Sequence, residues 1–103
     1  MLRCPDPPTA TFYDNDVMAV AGLGEAQRMG VAVPADLSIM AWDDSMLCEL
    51  VHPALTALRR DIAAVGSEAA RRLSLMAARG GVADFQEPPP VLMARASTAP
   101  PRS

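Results

Sequence analysis

An almost unbroken apolar run, Leu37 to Trp42 (LSIMAW), stops abruptly at two acids, Asp43 and Asp44. A strand with no polar and apolar alternation is buried on both faces, which is the habit of parallel sheets. Parallel neighbours need long crossovers, so the segments on either side should hold helices. Two further runs end the same way. Thr9 to Tyr13 (TATFY) meets Asp14-Asn15-Asp16, and Leu55 to Leu58 meets Arg59-Arg60-Asp61. The pattern predicts an α/β fold: an open, mostly parallel sheet with helices on both faces and right-handed crossovers. In such sheets ligands sit beyond the carboxyl ends of the strands. Those ends are where Asp14, Asn15, Asp43, Asp44, Arg59 and Arg60 fall.

The segments between the strands read as helices. Asn15 or Asp14 can cap free N–H groups, Asp16 suits the positive end of the dipole, and Gly30 permits the left-handed stop after a helix over about 16–29. Val17 to Leu23 is apolar or small nearly all round, which predicts cover on two sides. Ser45 to Val51 forms a short helix that His52-Pro53 ends. From Ile62, apolar residues recur at Val65, Gly66, Ala69, Ala70, Leu73, Met76 and Ala77, with Glu68, Arg71, Arg72 and Arg79 opposite, until Gly80-Gly81 ends the helix. A loop through Pro88-Pro89-Pro90 leads to a last strand near Val91 to Ala96. Residues 1–8 hold three prolines and read as a lead-in loop, and 98–103 should fray.

Composition removes several functions. Nine cations, all arginine, against twelve acids give a net charge of −3, so this chain by itself is a poor match for nucleic acid. No apolar stretch approaches the roughly 20 residues of a membrane span, and no membrane partner is expected. Cys4 and Cys48 lack CxxC spacing and the single histidine, His52, precedes proline, so neither structural zinc nor another metal or cofactor is expected. There is no nucleophile elbow, phosphate loop or dinucleotide fingerprint, since Gly22-Leu23-Gly24 lies inside a helix. Adjacent Asp43 and Asp44 diverge and cannot flank a glycosidic bond. An enzyme is not expected.

Five blocks in order, from Pro8-Thr9-Ala10 through Asn15-Asp16-Val17-Met18-Ala19, then Gly30-x-x-Val33-Pro34-x-Asp36-Leu37-Ser38-Ile39, Trp42-Asp43-Asp44, His52-Pro53-x-Leu55-Thr56 and Arg95-x-Ser97-Thr98, resemble the C-terminal portion of LacI/GalR-family transcriptional regulators. In that family a helix-turn-helix head precedes a two-lobed, periplasmic-binding-protein-like sensor that closes on a sugar, purine or similar effector. The resemblance implies that 9–97 is the C-terminal sensor subdomain, in part, and that head and first lobe are absent here. It further implies a cytoplasmic regulator, with operator DNA bound only by full-length relatives.

By the same resemblance Asn15 matches the family's asparagine that donates to ligand hydroxyls, and Asp43 matches the acid that accepts from hydroxyl or ring N–H groups. Arg60 stands where many relatives have glutamine, so an anionic effector becomes admissible. Trp42 is expected in the core or stacked on ligand. The small-molecule effector, sugar or related, would bind only together with the missing lobe. The helix from Val17 to Gly24 and the segment Met46 to Val51 would lie on a dimer face, and Val20, Leu23, Met46, Leu50 and Val51 are the residues expected there in a homodimer. Ala41 and Ala57 replace the family's usual glycine and second threonine without disturbing the fold. Two other readings share these residues: half of a sugar-binding transport protein of the same fold, and a stand-alone dimerisation module.

Overall fold

The computed structural model describes residues 4–81 and 88–102. The chain divides into two compact units, one of Met1–Arg59 with Val91–Ser103 and the other Arg60–Pro90.

The first unit holds a four-stranded sheet in the order β1-β2-β3-β4, with β1 at Ala10–Tyr13, β2 at Ser38–Ala41, β3 at Thr56–Arg59 and β4 at Val91–Met93. β1, β2 and β3 are parallel, with Tyr13 opposite Ala41 and Ala41 opposite Ala57. β4 runs antiparallel to β3, pairing Arg59 with Val91 and Ala57 with Met93. The mostly parallel sheet expected from the unalternating strands is therefore present, with one antiparallel edge.

Helix α1 spans Asp16–Arg28 and α2 spans Met46–Leu50. Asn15 caps α1 by accepting from the Met18 N–H at 2.8 Å, and Gly30, at φ 76°, takes the left-handed conformation after its end. Ser45 caps α2, accepting from the Leu47 N–H at 3.2 Å. The core joins Ala19, Leu23 and Ala26 of α1 to Leu37, Ile39 and Ala41 around β2, with Cys48 of α2 and Leu55 and Ala57 around β3. Alanines at 19 and 26 let α1 lie close to the sheet. Gly22 continues this fit, for a Cβ there would stand 2.1 Å from the Tyr13 hydroxyl.

Two expectations are corrected. The last strand stops at Met93 instead of reaching Ala96, because the backbone donors beyond it find other partners: the Arg95 N–H donates to Thr56 Oγ1 at 2.9 Å. The tail expected to fray is tied in as far as Arg102. Thr98 meets Thr56 through their hydroxyls at 2.8 Å, the Ala99 N–H donates to Ser38 Oγ at 3.1 Å, and Arg102 donates to the Asp36 carbonyl at 2.5 Å. Fully buried Ser97 explains the docking. Its hydroxyl donates to the Ile39 carbonyl and accepts from the Thr56 N–H, standing in for ladder bonds where β2 and β3 diverge.

The second unit carries α3, Ile62–Arg79, capped by Asp61 accepting from the Ala64 N–H at 2.9 Å and closed by Gly80 at φ 72°. Glu68 pairs with Arg71 and Arg72 at 2.6 and 2.9 Å along its polar face. Parts of the expected lead-in loop (1–3), of the loop before β4 (82–87) and the final residue 103 lie outside the described residues.

Candidate functional site at the strand carboxyl ends

Parallel pairing brings the ends of β1, β2 and β3 to one side of the sheet. Tyr13 pairs with Ala41, and one residue on the Trp42 N–H donates to the Tyr13 carbonyl at 2.9 Å. The loops that follow, Asp14-Asn15 and Trp42-Asp43-Asp44, therefore start side by side. Asn15 commits its Oδ1 to the helix cap, which leaves its two amide donors for another acceptor. Trp42 is 37% exposed and meets Phe12 edge to face, with ring centroids 6.0 Å apart. An exposed indole next to a half-buried carboxylate, Asp43, offers a stacking surface beside an acceptor.

Two side chains, Ser45 and Asp44, fix these loops to the framework. The Ser45 hydroxyl donates to Asp16 at 2.5 Å, joining the N-termini of α2 and α1. The Asp44 carboxylate takes both arms of Arg95, at 2.8 and 3.0 Å, and also the Arg59 Nε at 2.9 Å. Arg95 beside it holds the Asp44 carboxyl below its ordinary 3.8, with Arg59 assisting and burial opposing.

Of the residues expected at the site, Asn15, Trp42 and Asp43 lie on the loops that leave the neighbouring ends of β1 and β2. Arg60 is the first residue of the second unit, directly before the α3 cap Asp61. Among the dimer-face residues, Met46 and Leu50 are each 70% exposed. Leu23 is corrected: it is 2% exposed and belongs to the core, because α1 turns the Ala19, Leu23 and Ala26 side to the sheet. Val20 and Val51 are half-buried and pack against that core. Val17 and Met18, at 62% and 50% exposure, are the large apolar α1 residues that remain open.

Sequence reasoning missed the anchoring role of Asp44 and Arg95. The two stand 51 positions apart, so no local spacing couples them, and only the Arg95-x-Ser97-Thr98 block hinted that this segment docks. Among the described residues no cluster of three or more potential ligands could hold a metal, and no helix is long and apolar enough to cross a membrane.

A family profile for a periplasmic binding protein-like domain matches residues 1–98. The chain is 42% identical over 69 residues to the HTH-type transcriptional repressor CytR of Escherichia coli (strain K12), a match covering 67% of this chain and 20% of that repressor. It superposes on the crystal structure of a LacI family transcriptional regulator from Bifidobacterium animalis subsp. lactis with a TM-score of 0.91 and 46% identity, covering 98% of this chain and 37% of that one. The lac repressor dimer bound to operator and the anti-inducer ONPF is similar at a TM-score of 0.80 and 30% identity, over 88% of this chain and 32% of the repressor's. The chain thus spans a fifth of the length of the first curated relatives it matches.

Proposed function

Because the chain belongs to the periplasmic binding protein-like domain family of LacI-type transcriptional regulators, we propose that it is the effector-binding and dimerising lobe of such a regulator. The observation that carries this reading is that the loops bearing Asn15 and Trp42-Asp43 start side by side at the carboxyl ends of β1 and β2. Asn15 donates to a hydroxyl, Asp43 accepts from a hydroxyl or ring N–H, and Trp42 covers an apolar face of the same small molecule, a sugar or nucleoside. Arg60, which follows β3 directly in the chain, would favour an anionic group on the ligand. No catalytic role is proposed.

One lobe supplies only part of the contacts and little of the desolvation. The ligand is held between this lobe and a second one, and binding favours the closed arrangement. In a regulator that closure is linked to operator affinity through the spacing of paired DNA-binding heads, and the work is done in the cytoplasm. The exposed Met46 and Leu50, with Val17 and Met18, supply the face for a homodimer. The compared proteins are transcriptional regulators, which favours this reading over half of a transport protein.

The test is a chimera in which this chain follows the DNA-binding head and first lobe of the E. coli CytR repressor. Operator binding is followed by fluorescence anisotropy across a panel of sugars and nucleosides. Operator affinity that responds to at least one of them supports the reading. A folded, dimeric, operator-binding chimera indifferent to the whole panel contradicts it.

A further inference from the structure

The Trp42-Asp43 loop is short, polar at its end and only partly covered, and such a segment needs an anchor to hold one geometry. Its start is fixed by the Trp42 N–H on the Tyr13 carbonyl, and the residue beyond Asp44, Ser45, by its bond to Asp16. Between these stands Asp44, whose side chain is only 4% exposed. Both its oxygens are occupied: Oδ1 by Arg95 at 2.8 Å, and Oδ2 by Arg95 at 3.0 Å and Arg59 at 2.9 Å. A carboxylate so committed has little capacity left for a ligand. Arg95 is itself fixed, since its guanidinium also donates to the Leu55 carbonyl at 2.8 Å and its backbone N–H to Thr56 Oγ1 at 2.9 Å. Glu49, 3.7 Å from Arg95, completes the balance of charge. The two-armed geometry matters, for a guanidinium fork fixes the direction of a carboxylate as a single ammonium does not.

We infer that Asp44 is a positioning residue: clamped by Arg95, it sets the Trp42-Asp43 loop in the conformation that meets an effector, without touching the effector itself. This rests on the effector reading above for its purpose, but the clamp can be tested with no ligand present. Arg59, 54% exposed on the same carboxylate, is a secondary partner in this arrangement. The protein's single tryptophan sits in the loop concerned, so its fluorescence reports on that loop alone.

The experiment is acrylamide quenching of Trp42 in the chain itself, in buffer, for Asp44→Asn, Arg95→Gln, Arg95→Lys and Arg59→Gln, with far-UV circular dichroism to confirm folding. Ala26→Gly, which weakens α1 away from the loop, is the comparison for loss of stability alone. In folded Asp44→Asn and Arg95→Gln the quenching constant rises about twofold as the loop opens. Arg95→Lys, with charge but no fork, gives an intermediate rise, and Arg59→Gln and Ala26→Gly stay near the parent. Parent-like quenching in folded Asp44→Asn overturns the inference, as does an equal rise in Ala26→Gly. Should Asp44→Asn fail to fold, Arg95→Lys decides: increased quenching supports the clamp and parent-like quenching overturns it. Because no effector enters, failure here leaves the effector reading standing, and an indifferent chimera leaves the clamp standing.

Discussion

Ser45 donates its hydroxyl to the Asp16 carboxylate at 2.5 Å while accepting from the Leu47 N–H, so one side chain caps α2 and ties it to the first turn of α1. Removing that hydroxyl orphans a helix N–H and a carboxylate acceptor together. Ser45→Ala is expected to lower stability by about 1–2 kcal/mol, seen as a lower urea midpoint with an unchanged slope.

Two glycines six residues or more into the same apolar helix should respond in opposite senses. A methyl group at Gly24 would meet nothing within 4 Å, so Gly24→Ala gains helix propensity and raises stability by about 0.5–1 kcal/mol. At Gly22 the added methyl would run into the Tyr13 ring, and expelling it costs about 1–3 kcal/mol, more than the propensity gain. Gly22→Ala should therefore lower the thermal midpoint while Gly24→Ala raises it.

This contrast also shows how far the sequence could be read. The three parallel strands, both ends of α1 and a cap at Asn15 or Asp14 were legible because each depends on neighbours in the chain: apolar runs, acids at helix starts, Gly30 at a stop. That the loops carrying Asn15 and Trp42-Asp43 leave the same side of the sheet was legible because parallel topology alone carries their strand ends there. Leu23 was misplaced because an all-round apolar helix does not reveal which stripe faces the sheet; the small residues Ala19 and Ala26, which permit the closest approach, decided it. The Asp44–Arg95 pair and the docking of Ser97 were illegible for another reason, since both join segments more than 40 residues apart. The fraying expected of a proline-rich tail failed against the side-chain bonds that Thr98 and Arg102 make.

Leu23 and Leu50 separate core from surface. Leu23→Ala should cost about 2–5 kcal/mol, because it opens a cavity between α1 and the sheet. Leu50→Asp, at a 70% exposed position, should leave the urea-unfolding slope intact and instead shift sedimentation from dimer towards monomer. A parent chain that stays monomeric at tens of micromolar, about the range of weak interfaces, would remove the dimer face from the account.

Acid should act through Asp44. Arg95 keeps its folded-state carboxyl below the ordinary 3.8, so the folded state holds fewer protons than the unfolded one. The stability this provides is complete above the ordinary value and is lost as pH falls through it towards the lower folded value. Asp44→Asn should therefore be less stable than the parent at neutral pH, with the difference shrinking in acid below 3.8. Glu68, held down from 4.5 to about 2 by Arg71 and Arg72, shifts in the same sense but lies on an exposed helix face where water screens the pairs. Urea midpoints of parent and Asp44→Asn across pH 2–7, a range spanning roughly both sides of the ordinary carboxylate value, check this.

The central claim is that the loops after β1 and β2 hold the effector, and Asp43 is the residue that tests it most directly. In the CytR chimera, with whichever sugar or nucleoside shifts operator affinity, Asp43→Asn removes a charged acceptor worth about 1.5–3 kcal/mol, or roughly tenfold to hundredfold in effector affinity. The decisive measurement is the effector concentration giving half of the operator response. The account predicts that it rises by at least about tenfold in Asp43→Asn while operator affinity without effector is unchanged; an Asp43→Asn chimera with the parent's half-response would contradict it.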